Sequence, residues 1–125
     1  MTRTTARPVV IMLKLMNWNY NMDRLTMNSE WFDSVLKRVG FYDPTNPLPK
    51  NDLGMTVFLE DRGIKIVYEY FYAGEEIGWR YYGVDIEDND CFTEDLDYHS
   101  DFNICAQHAI MECMCYLLTK NETIN

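Results

Sequence analysis

Residues 85–101, DIEDNDCFTEDLDYHSD, hold eight carboxylates in seventeen positions and neither lysine nor arginine. Asp85, Glu87, Asp88, Asp90, Glu94, Asp95 and Asp97 carry most of that charge. A set of this kind can bind a cation, work as an acid–base cluster, lie solvated, or face a positive partner. Calcium is the first test. An EF-hand loop needs oxygen ligands at positions 1, 3 and 5, a glycine at 6 and a bidentate glutamate at 12. Counting from Asp85 gives Asp85, Glu87 and Asn89 at the first three, but Asp90 at the sixth and Leu96 at the twelfth. Counting from Asp88 places Phe92 and Thr93 at positions five and six. The EF-hand reading fails. What remains is a solvated loop whose last acids, Asp97 and Asp101, suit a helix N-terminus, or a docking surface. Uncompensated carboxylates repel one another, and that cost favours docking.

A second constellation is Cys105, His108 and Glu112. Their spacing puts all three on one helix face, and Cys91 or His99 could complete a zinc set. No CxxC pair or HExxH helix supports it, and buried structural thiols are the commoner outcome for such cysteines. A Cys–His nucleophile lacks an orienting partner and an oxyanion site. There is no phosphate-cradling glycine loop and no G-x-S-x-G turn. The chain is therefore expected to be neither an enzyme nor a cofactor carrier.

The third is aromatic. Tyr68, Tyr70, Phe71, Tyr72, Trp79, Tyr81 and Tyr82 place seven rings within fifteen residues. Strand alternation sends them to both sheet faces, so some lie outside the core. Tyrosine is a good strand former in any case, but tyrosine and tryptophan also anchor interfaces.

These residues need a frame. A chain of 125 residues with 47% hydrophobic and 25% charged side chains fits one folded domain. Residues 1–80 balance ten basic against ten acidic side chains, so the net charge of −9 arises almost wholly in residues 81–125. Lys120 is the one cation there. Binding to phosphates requires lysine and arginine, so this part repels nucleic acid and attracts basic surfaces.

Within residues 29–40 the pattern SEWFDSVLKRVG predicts a helix. Ser29 or Asn28 caps it, Glu30 and Asp33 suit its start, Lys37 and Arg38 its end, and Gly40 stops it. Pro44, Pro47, Pro49 and Gly54 mark a loop. MTVFLE (55–60), IKIVYEYFY (64–72) and IGWRYYGVDI (77–86) then alternate as three strands. DRG makes the first turn and AGEE the second, and Met55, Val57, Leu59, Ile64, Ile66 and Tyr68 share a core face. From Asp101 to Thr119 a long helix follows, N-capped by Ser100. Its apolar side chains cover more than half its circumference, leaving His108, Glu112, Asp101 and Thr119 as a polar stripe. Such a helix packs on more than one side.

The expectation is an α+β fold, α-β-β-β-α: a three-stranded antiparallel sheet between an N-terminal-side helix and a long C-terminal one. It spans a single domain at 29–125. An N-terminal segment, 1–28, precedes it, with an apolar stretch at 8–16 fit for an edge strand or short helix. Lys14 interrupts that stretch and no cleavage site follows, so neither a signal nor a membrane span is expected. Four cysteines without a spaced framework read as reduced thiols of a cytoplasmic protein.

The element order resembles the double-stranded-RNA-binding domain over residues 29–119. That family holds phosphates with lysines where this chain has SDFNICAQ, so the likeness implies topology and not RNA binding. In size and acidity the chain resembles the small inhibitors made by phages, including anti-CRISPR proteins. That likeness implies a nucleic-acid mimic docking on a basic surface of a larger, nucleic-acid-binding protein. The contact residues would be the seven acids named first, with Tyr70, Tyr72, Trp79, Tyr81 and Tyr82. A homo-oligomer built on the apolar C-terminal helix is the alternative. A metal enzyme using Cys105, His108 and Glu112 is the third.

Overall fold

The computed structural model describes residues 29–73, 75–93 and 98–124. The 8–16 segment and the rest of 1–28 lie outside the described residues, as do Glu94, Asp95 and Asp97. The fold is α+β, with a three-stranded antiparallel sheet in the order β1-β2-β3. Its elements are α1 (Glu30–Val39), α2 (Asp52–Glu60), β1 (Ile64–Ala73), β2 (Glu76–Asp85), β3 (Asp90–Cys91) and α3 (Phe102–Ile124).

α1 forms as its sequence dictates. The Ser29 hydroxyl accepts from the Phe32 amide, and Gly40 takes a left-handed φ of 89° to close the last turn. Phe32, Val35, Leu36 and Val39 are its buried face.

The strand expected at 55–60 is instead the body of α2. Asn51 N-caps it through a side-chain bond from the Gly54 amide, 2.7 Å. A Cβ at Gly54 would lie 1.9 Å from the Pro49 carbonyl oxygen, so this tight entry needs glycine. The alternation of Met55, Val57 and Leu59 mimics a strand, but Met55, Phe58 and Leu59 are the residues buried, at helical spacing. DRG therefore links a helix to a strand rather than two strands, and the third strand comes from the acidic segment.

β1 and β2 pair from Ile64↔Asp85 to Ala73↔Glu76, leaving two residues to turn the hairpin. β3 pairs Val84↔Cys91 and Asp85↔Asp90. Asn89 sits at φ 51° in the turn between them, a conformation asparagine tolerates. Further on, Trp79 and His99 exchange two backbone hydrogen bonds of 2.7 Å. Eight steps separate Cys91 from His99 while five separate Val84 from Trp79, so the two pairings along the β2 edge are three residues out of register.

α2 and α3 pack on the sheet, and α3 is the hub: it packs on α1, α2, β1 and β2. That explains its nearly all-round apolar sequence, and its residues from Cys105 to Leu118 are buried apart from Gln107, which is partly so. Its cap differs from the expected one. The Asp101 carboxylate, rather than Ser100, accepts from the Asn103 amide at 2.8 Å. Gly83 lets the chain close here. A Cβ on it would reach within 2.5 Å of the Phe92 ring and 3.0 Å of Cys113 Sγ. Phe92 is thereby free to wedge under β2 and stack on Tyr116 at 3.7 Å.

Candidate functional site: an acidic end and an aromatic overhang

The described acids of the segment do not form one surface. Asp85 is 0% exposed. Its Oδ2 accepts from the Tyr116 hydroxyl at 2.6 Å and from Lys120 Nζ at 2.9 Å. Burial pushes the Asp85 carboxyl up, but those two hydrogen bonds and the Lys120 charge outweigh it and hold it below its ordinary value. Asp90 is buried as well. Both point into the fold and present no carboxylate to a partner. Lys120, distant in sequence, is the cation that answers Asp85, and it also lies 3.4 Å from Glu87.

Glu87 and Asp88 remain exposed on the β2–β3 turn. The fold brings two further carboxylates to them. Ile86 donates to the Gly63 carbonyl at 2.8 Å, which pins this turn to the end of α2. Glu60 and Asp61, with Glu87, Arg62 and Lys120, therefore line a cleft of about 630 Å³. By the alternation of 55–60, Glu60 and Asp61 read as a strand end and a turn. The signal that identifies them is the helix itself: both stand at the C-terminus of α2, where the dipole is negative and carboxylates are unfavourable. No basic residue occupies that last turn.

The aromatic residues divide by strand parity. Tyr68, Tyr70, Tyr72, Trp79 and Tyr81 share the inner, helix-facing side of the hairpin, while Phe71 and Tyr82 share the outer side. Tyr81 is core: buried, it donates to Glu112 Oε1 at 2.5 Å. His108 and Glu112, from the polar stripe of α3, are buried too, and Tyr81 of β2 supplies Glu112 with that hydroxyl. Tyr82 lies on the outer face beneath Arg80, whose guanidinium is 5.2 Å from its ring centroid and 5.0 Å from that of Tyr98. Arg80 is paired there with Glu69 at 2.6 Å.

Tyr70, Tyr72 and Trp79 do assemble. The first turn of α3 reaches the hairpin through Phe102, 4.9 Å from the Tyr68 ring and 4.8 Å from Trp79. Beyond that point the hairpin projects past the helices. Tyr70 (53% exposed), Tyr72 (68%) and Ile77 (51%) form an apolar overhang, with Tyr70 edge-on to Trp79 at 5.0 Å. Glu75, in the hairpin turn, and Asp101, directly before Phe102, are exposed. From Trp79 to Asp85 the strand runs roughly 20 Å, at ~3.3 Å per residue. The acidic end and the overhang thus occupy opposite ends of the hairpin.

Cys105, His108 and Glu112 share a face of α3, but among the described residues no three His, Cys, Asp or Glu side chains come together to hold a metal ion. Burial raises the Cys105 thiol to about 11 and the Cys113 thiol well above its ordinary value. Such protonated thiols are poor nucleophiles. Met114 and Leu118, the side chains a helix-mediated dimer would use, are buried within the single chain. Among the described residues no helix is long and apolar enough to cross a membrane. Neither the known family models nor the curated proteins nor the solved structures contain a match to this chain.

Proposed function

We propose that this chain is a small acidic protein-interaction module that docks on a basic surface of a larger protein, with a nucleic-acid-binding groove as its natural target. The observation that carries this reading is the convergence of Glu60 and Asp61 with Glu87 around one cleft, with exposed Asp88 next to Glu87 in the same turn. Two of these acids sit at the wrong end of a helix for stability, and the four exposed carboxylates outnumber Arg62 and Lys120, the cations of the same cleft, in a protein of net charge −9. A basic partner removes that repulsion on binding and is steered to this end by the same field. Grooves that hold phosphates are the surfaces richest in matching lysine and arginine, so the docked module would act as a nucleic-acid mimic and inhibitor.

The test is affinity capture from the source cells with the full chain as bait, followed by competition. A basic nucleic-acid-binding protein should be retained at low salt and released both by higher salt and by added duplex. The Glu60→Gln, Asp61→Asn, Glu87→Gln, Asp88→Asn variant should not retain it. Retention of the same partner by that variant, with unchanged salt dependence, would overturn the reading.

A further inference from the structure

The outer face of the hairpin shows how this chain treats exposed rings: Arg80 lies over both Tyr82 and Tyr98. The inner face of the overhang has equivalent rings and, among the described residues, no such cation. Its residues at strand parity, Ile64 to Tyr72 on β1 and Ile77 to Asp85 on β2, include neither lysine nor arginine. Two exposed carboxylates adjoin its residues in sequence: Glu75 in the hairpin turn, two residues before Ile77, and Asp101, directly before Phe102. Exposed ring faces beside carboxylates are the chemistry that receives an ammonium or guanidinium group: the ring quadrupole attracts the cation and the carboxylates neutralise it.

We infer that the overhang formed by Tyr70, Tyr72, Ile77, Trp79 and Phe102 is a second, separate contact surface, and that its occupant is an arginine- or lysine-bearing segment of the partner polypeptide. This rests on the docking reading above and adds an anchor to it. A second copy of the chain fits poorly, because a two-fold contact opposes each Glu75 and Asp101 to acids of the same sign. Single-stranded nucleic acid would stack on the rings but find no cation for its phosphates. A small ligand would need an enclosed pocket, and this face is open. With roughly 20 Å between the two surfaces, the partner presents an extended basic surface rather than one compact patch. The acidic end governs encounter and salt dependence, whereas the overhang governs residence.

The experiment uses the full chain and fluorescein-labelled nona-arginine, read by anisotropy at several salt concentrations, with a Gly-Ser nonapeptide and a dodecathymidylate as controls. Tyr70→Ala with Tyr72→Ala should weaken nona-arginine binding tenfold or more without changing the slope of log affinity against log salt. Tyr70→Phe with Tyr72→Phe, which keeps the rings, should bind as the unaltered chain does. The four-carboxamide variant at the acidic end should lower the slope. If the alanine pair binds nona-arginine normally while the carboxamide variant is impaired, the anchor is wrong and the docking reading stands. If nona-arginine fails to bind the unaltered chain, both fall. Loss of Gly-Ser or dodecathymidylate binding in the alanine pair would show a general apolar or base-stacking surface and overturn the proposal.

Discussion

Lys120 Nζ lies 2.9 Å from Asp85 Oδ2, and this contact joins the end of α3 to the end of β2 across 35 residues of sequence. The Tyr116 hydroxyl, one turn earlier on α3, donates to the same oxygen. Asp85 thereby holds the acidic turn at a fixed place, and its own charge is spent inside the fold.

Replacing Asp85 by asparagine should therefore cost about 2–4 kcal/mol at neutral pH, since a charged acceptor is lost and Lys120 is left partly buried. The sign of the pH effect follows from the shift. The folded Asp85 carboxyl lies below its unfolded value of 3.8, so its contribution is complete above that pH and vanishes as pH falls through the lowered folded value. Urea midpoints between pH 2 and 7 should fall steeply on the acid side for the unaltered chain and more gently for Asp85→Asn. Equal slopes would rule out this role. At the alkaline end, Lys120 behaves oppositely. Burial lowers it, but the Asp85 bond and charge outweigh that and raise it, so its stabilisation is lost as pH rises through the raised value.

Gly83→Ala tests the wedge. Its methyl group would collide with the Phe92 ring and crowd Cys113, and overpacking of this sort costs about 1–3 kcal/mol. Adding Phe92→Leu should recover part of that loss, whereas on the unaltered background Phe92→Leu should only destabilise. Thermal denaturation of the four proteins measures the coupling.

Glu60→Gln and Asp61→Asn should stabilise the fold while weakening docking. Removing carboxylates from a helix C-terminus is worth about 0.3–1 kcal/mol at low ionic strength. Chemical denaturation of the pair variant beside its partner affinity gives both readings. A pair variant that is less stable would show these acids to be structural.

The thiols should separate cleanly. Cys91 is exposed and Cys105, Cys113 and Cys115 are buried, the last with burial raising its thiol further from ionisation. An aromatic disulfide reagent should titrate one thiol quickly in the native chain and four in denaturant. Rapid reaction of more than one native thiol would contradict the packing around α3.

The fold was legible wherever local chemistry and periodicity agreed. α1 carries its own caps at Ser29 and Gly40, and the long pairing of β1 with β2 follows from alternation and a two-residue turn. α2 is ambiguous in sequence because Met55–Glu60 satisfies both periods. The decision lay in Asn51 and Gly54, which look like loop residues until Asn51 is seen bonding forward to the Gly54 amide. β3 is two residues long and exists only because β2 lies beside it. The docking residues divided for a similar reason. Tyr70, Tyr72 and Trp79 follow from strand parity. The inward turn of Asp85 depends on Tyr116 and Lys120, 31 and 35 residues away. Glu60 and Asp61 joined the acidic end through tertiary contact alone.

The place of α3 in the chain bears on how the protein is made. Both other helices and both long strands pack on α3, yet all of them are synthesised before it. The emerging hairpin and first two helices therefore leave the ribosome with their apolar faces uncovered, and the core closes in a late, long-range step. Nascent chains stalled ahead of Phe102 should be captured by chaperones and cleaved rapidly by protease, and chains released beyond Lys120 should resist both.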